Sequence, residues 1–113
     1  MLKWGVAMRK LEDFSDVALK PEIILEIQKL GKKYGIEQIV LFGSRARKTN
    51  WERSDIDIMI SACSSKAQLD FIDSLEDVNT LLLFDVVNKR SFCYSPELNS
   101  EIEKDGVILY EKV

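Results

Sequence analysis

The chain has 113 residues, 46% of them hydrophobic and 31% charged, with a formal net charge of −3. That length suits one compact domain with a single core, and the charge balance excludes a generic basic nucleic-acid-coating protein. No apolar run approaches the ~20 residues needed to span a bilayer, and the complete lack of histidine excludes histidine triads, bases and metal ligands. Any chemistry must rest on carboxylates, hydroxyls, cations and bound metal.

The domain is expected to fill residues 1–113, with residues 1–18 a lead-in and 20–110 the core. The apolar centre of residues 1–10 is too short for a signal peptide, so a cytoplasmic location is expected. A short helix is possible over residues 13–19. Residues 20–33 read as an amphipathic helix: Pro21 suits the first turn, Ile23, Ile24, Ile27 and Leu30 form a stripe, and Gly31 or Gly35 marks the end. Residues 38–42 form a short apolar run that predicts a buried strand, and residues 43–54 a polar connection with a helical turn near 44–48. A second strand is expected over residues 55–61. Gln68, Phe71, Ile72, Leu75 and Val78 then repeat at helical spacing. Residues 81–88 predict a third, very apolar strand. Ser95 and Pro96 start a helix that Gly106 ends, and residues 107–110 form a last strand. The fold class is therefore α/β, mixed in the α+β sense: a small mixed β-sheet with helices packed on it.

Charged side chains interrupt this pattern where chemistry would sit. Asp55 and Asp57 flank Ile56 in an otherwise apolar run. Strand side chains alternate, so the two carboxylates share one face while Ile56, Ile58 and Ile60 share the other. Desolvating such acids is costly, and a divalent metal is the usual compensation. Gly43-Ser44 follows a strand directly; glycine permits a sharp turn and close ligand approach, and a helical turn opened by Ser44 would point N–H groups at an anion. Arg45, Arg47 and Lys48 add positive charge there. Asp85 is the only charge between Leu81 and Val87. In a central strand it would be an expensive structural choice, which favours a third metal-binding or basic carboxylate; a capping residue at a strand end is the alternative.

Together, Gly43-Ser44-Arg45-Ala46-Arg47, the following Asp55-Ile56-Asp57 and the later lone Asp85 resemble the minimal nucleotidyltransferases, or MNT proteins, of the DNA polymerase beta-like superfamily. The closing stretch from Ile102 to Tyr110 resembles that family's ending, and the likeness runs from Ile23 to Tyr110. Lys48 stands where many relatives carry a second glycine. The resemblance implies a polymerase beta-like core in which Asp55, Asp57 and Asp85 hold Mg²⁺ and carry the catalysis. It further implies that Gly43 and Ser44, helped by Arg45 or Arg47, bind the phosphates of a nucleoside triphosphate, with ATP the foremost candidate. The implied reaction moves a nucleoside monophosphate to a hydroxyl acceptor.

Because the chain is nearly all core, a partner is expected, and the resemblance points to a helical HEPN-type protein in an antitoxin-like pair or a two-component transferase. A non-catalytic antitoxin or nucleotide-binding module, acting by contact, is the other reading. Cys63 and Cys93 read as reduced thiols in or near the core. Trp4 and Trp51 read as packing residues, with stacking or partner contact the alternative for Trp51. Lys20, Lys29, Lys32 and Lys33 read as a solvated helix face; Asp70, Asp73, Glu76 and Asp77 form an acidic patch that is either solvated or meets a basic partner.

Overall fold

The computed structural model describes residues 8–91 and 94–112. Five strands form one sheet in the order β1-β5-β2-β3-β4. They are β1 (Arg9–Lys10), β2 (Gln38–Phe42), β3 (Ile56–Ser61), β4 (Phe84–Asn88) and β5 (Val107–Glu111). Central β2 runs antiparallel to both β3 and β5, whereas the β3–β4 and β1–β5 pairs are parallel. Four helices accompany them: α1 (Pro21–Lys33), α2 (Ser44–Arg47), α3 (Ser65–Ser74) and α4 (Pro96–Asp105). This is the expected mixed architecture with the expected order of its main elements.

The sheet is covered unequally. On one face Ile39, Leu41, Ile56, Ile58 and Ile60 meet Ile23, Ile24 and Ile27 of α1 and Phe71 of α3 in the main core. On the other, Val40, Phe42 and Met59 meet Ile102 of α4 and Ile108 in a smaller cluster. With both faces covered, Ile39, Val40 and Leu41 are all fully buried, which is why β2 reads as an unbroken apolar run rather than an alternation. Asp57 shares the parity of Met59 and so belongs to the α4 face, the one with the smaller core.

Several local readings need correction. β4 begins only at Phe84, and Leu81 and Leu83, expected within it, lie before it at 103% and 71% exposure. β4 is also an edge strand, not a central one. Two-residue β1 has no periodic signal and was not expected. Of the two glycines expected to end α1, Gly35 does so, at φ 69° just past the C-cap Tyr34, while Gly31 is buried within the helix, where a Cβ would press on Ile39 and Tyr110. Cys63 is exposed, not in the core, and Cys93 and Trp4 fall outside the described residues. Trp51 is 84% exposed and does not pack. The lysine face of α1 is solvated as expected.

Arg45 fixes the loop that leads into β3. Its guanidinium is buried and donates from Nε to the Ser54 carbonyl (3.0 Å), from Nη1 to that of Ala18 (2.8 Å) and from Nη2 to that of Glu52 (3.1 Å). A planar fork of donors can serve three carbonyls at once, which a lysine ammonium on its stem cannot reproduce. At the end of α2, Lys48 adopts the left-handed conformation (φ 62°) that glycine favours, so the turn is kept without the glycine, and its Nζ donates to the Ser15 carbonyl at 2.6 Å.

Two stability measurements check this account. Urea denaturation should show Ile58→Ala losing about 3 kcal/mol, because the residue is wholly buried between β2 and β4. Arg45→Met should also lose about 3 kcal/mol by stranding three carbonyls, with Arg45→Lys recovering only part of it.

Candidate active site

The sheet register brings two of the predicted carboxylates together. Asp57 pairs across the parallel β3–β4 ladder with Asp85 and across the antiparallel β2–β3 ladder with Phe42. The two aspartates therefore stand side by side on neighbouring strands and point to the same face of the sheet. Asp55 precedes β3 rather than lying in it, and both Asp55 and Asp85 are exposed, so the desolvation argument applies to Asp57 alone, which is half-buried.

Electrostatics identify the group as one cluster. Burial pushes the Asp57 carboxyl above the usual carboxylate range, and the charges of Asp85, Asp55 and then Glu101 push it the same way, while Arg47 pulls it back. The acids are grouped by charge and not by coordination: among the described residues, no three carboxylates or thiols are drawn into a ready-made metal shell. A cation that brings its own water and phosphate oxygens does not require such a shell, and Mg²⁺ is of that kind.

Gly43 closes the site from β2. It follows Phe42 at φ 75°, ψ −157°, a backbone conformation open to glycine, and a Cβ there would overlap Oδ2 of Asp57 and lie 3.3 Å from its Cγ. The absent side chain is what lets the carboxylate and the start of α2 occupy the same small volume. Half-buried Ser44 is the first residue of α2, a four-residue helix in which the N–H groups of Ala46 and Arg47 both donate to the Gly43 carbonyl at 3.1 Å. Arg47, at the last position of α2, donates from Nη1 to Oδ2 of Asp105 on α4 at 3.1 Å.

The two arginines expected beside the phosphates thus have different places. Arg47 is partly exposed and acts electrostatically on Asp57. Arg45 is corrected out of the phosphate-facing set, because its guanidinium is buried and bonded to three main-chain carbonyls. Glu101 and Asp105 on α4 are the residues the sequence reading missed. Their spacing of one helical turn places both on one face of α4, a signal that was present in the sequence. A cavity of about 840 Å³ beside the lead-in and α1 is lined by none of the three aspartates, nor by Gly43 or Ser44.

Comparison with known proteins identifies the family of the chain. The family described as polymerase beta, nucleotidyltransferase, matches residues 25–113. A putative protein adenylyltransferase of Methanocaldococcus jannaschii is 33% identical over 103 residues, which cover 87% of this chain and 96% of that protein. Another from the same organism is 31% identical over 104 residues, covering 90% of this chain and all (100%) of the relative. Among solved structures, a toxin–antitoxin complex with AMP-PNP contains a chain 26% identical, with a TM-score of 0.63 over 79% of this chain and 73% of that one. A complex of a tri-AMPylated Shewanella oneidensis HEPN toxin with an MNT antitoxin shares the fold, at 24% identity and a TM-score of 0.57 over 80% of this chain and 71% of that one. The chain belongs to the polymerase beta nucleotidyltransferase family and is a nucleotidyltransferase.

Proposed function

We propose that this nucleotidyltransferase moves AMP from ATP to a hydroxyl on a helical HEPN-type partner protein, in the cytoplasm, with Asp55, Asp57 and Asp85 as its catalytic carboxylates. The observation that carries the reading is the register that sets Asp57 against Asp85 with Gly43 cleared for close approach. The names of the relatives support the substrate pair: the M. jannaschii proteins are called protein adenylyltransferases, and one structural neighbour pairs an MNT antitoxin with an AMPylated HEPN toxin.

The donor set fits a hard divalent cation. Asp57 feels the charges of Asp85 and Asp55, and all three offer oxygen donors only, with no nitrogen or sulfur ligand among them. Asp55, Asp57 and Asp85 would hold Mg²⁺, which when bound neutralises charge on the phosphates and the leaving group. The residues of the chain do the rest. Gly43 and Ser44 receive the phosphates at the start of α2, and Arg47 reaches them with the donors not engaged by Asp105. The acceptor oxygen attacks the α-phosphorus, the bond to the bridging oxygen breaks, and pyrophosphate leaves. Asp85, exposed at the sheet edge, takes the proton from the acceptor hydroxyl. Arg45 acts at a distance by holding the loop that enters β3.

A second reading, neutralisation of the partner by contact alone, is favoured by the exposed apolar side chains of Trp51, Leu81 and Leu83. The two readings separate on one substitution. Radiolabelled ATP with Mg²⁺ and the product of the adjacent gene should place label on that product, and Asp57→Asn should lower labelling at least about 100-fold. No label with any of the four nucleotides, together with full neutralisation by Asp57→Asn, would establish the contact reading instead.

The same substitution should stabilise the fold. The folded state raises the pKa of Asp57, so it binds that proton more tightly than the unfolded chain does and the ionised carboxylate is a destabilising group. The penalty is full above the folded pKa, shrinks as the pH falls through it, and is gone below the unfolded value of about 3.9. Denaturant titrations should show Asp57→Asn gaining up to about 1 kcal/mol at pH 7, the scale of a like-charge cross-strand pair, and no advantage near pH 3.

A further inference from the structure

Two adjoining depressions mark the face opposite α4, at the end of the sheet where the acidic strands begin. The first, of about 840 Å³, is lined by Leu19, Lys20, Ile23 and residues 50, 52 and 53 of the loop that leads to Asp55. The second, of about 470 Å³, is lined by Ile72, Leu75, Val78, Phe84 and Val86 along the outer side of β4. Thr80, Leu81 and Leu82 line both, so the two form one continuous groove. Leu81 stands in its middle at 103% exposure, with Leu83 at 71% beside it and Trp51, at 84%, in the loop that walls the first part. Large apolar side chains grouped so openly around a groove mark a contact surface in place of a core.

The charges along the groove are sorted. Lys20 and Arg53, opposed only by Glu52, are the free charges of the first part, Arg45 being committed to carbonyls. Glu76 is the only charged residue lining the second, and Asp77 is exposed on the same turn. Both walls run straight into the acids: residues 50–53 lead to Asp55 and Asp57, and Leu81–Leu83 lead to Asp85. A protein seated here lies on the face opposite the acids and reaches them around the edge strand β4, where Asp85 is exposed.

We infer that this groove docks the acceptor protein through an amphipathic segment with an apolar stripe over Leu81 and Leu83, acidic residues toward Lys20 and Arg53, and basic residues toward Glu76. The inference rests on the proposed transfer to a protein hydroxyl, and adds where that protein is held. Complementary charge at the two ends sets the direction in which the segment lies, while the leucines supply the buried contact.

The test uses the purified chain, ATP with Mg²⁺, and the product of the adjacent gene as the acceptor protein. Leu81→Asp should weaken the complex at least tenfold by sedimentation or calorimetry, and Lys20→Glu with Arg53→Glu about three- to tenfold, with the affinity for ATP unchanged in both. Circular dichroism melts should show both variants folded, since all the substituted side chains are exposed. Unchanged partner binding by Leu81→Asp would overturn the inference, as would the lack of any complex with the wild-type chain. A parallel loss of ATP affinity would make the groove part of the nucleotide site, and self-association abolished by Leu81→Asp would make its occupant a second copy; either result also overturns it. A complex that forms, breaks with Leu81→Asp and yet carries no label would leave the docking surface standing while removing the proposed transfer.

Discussion

The structure turns on one register: Asp57 lies opposite Asp85 in the parallel β3–β4 ladder. Like charges side by side on neighbouring strands repel, and nothing in the sheet compels that pairing except the burial of the opposite face. Ile56, Ile58 and Ile60 are each fully buried on that face. A slip by one residue would turn all three into the thinner α4 side and the acids into the core, so the isoleucines fix the position of the aspartates. Hydrophobic packing on one face is thus what holds an electrostatically unfavourable arrangement on the other.

The supporting parts serve the same arrangement from different directions. Gly43 gives up a side chain so that β2 can end against the Asp57 carboxylate. Arg45 sits behind the site and ties the strand-entry loop to the lead-in by three carbonyl bonds, which keeps Asp55 and Asp57 on a defined path. Arg47, two residues on and exposed, remains at the front, anchored by a single bond to Asp105. Two arginines of the same short motif therefore divide positioning and electrostatics between them. The raised pKa of Asp57 follows first from its burial and then from the repulsion of Asp85, Asp55 and Glu101.

Much of this could be read from the sequence because the signals were periodic. Alternation over Ile56–Ile60 placed both carboxylates of the Asp-x-Asp step on one face, the continuous run Ile39–Phe42 gave a covered strand, and Ser95-Pro96 gave the start of α4. Chain order alone cannot say which strand lies at an edge, so Asp85 was read as a charge inside a central strand when it sits in the outermost one. Three consecutive leucines looked like strand, yet Leu81 and Leu83 lie exposed ahead of β4. Arg45 and Arg47 are chemically identical; only three-dimensional neighbours, Ala18 among them at a separation of 27 residues, show that the first is committed to the backbone. Glu101 and Asp105 were legible as a helical pair, but that the first acts on Asp57 and the second pairs with Arg47 shows only once α4 is placed across the sheet.

The central claim, that the acids around Asp57 are a cation site, is tested most directly by titrating Mn²⁺ with ATP into the ¹⁵N-labelled chain and mapping paramagnetic broadening by NMR. The account predicts losses that begin at Gly43, Asp55, Asp57 and Asp85 and spread outward from them. Broadening that begins instead at the exposed acids Asp73, Glu76 and Asp77, with Gly43 and Asp57 unaffected, would contradict it.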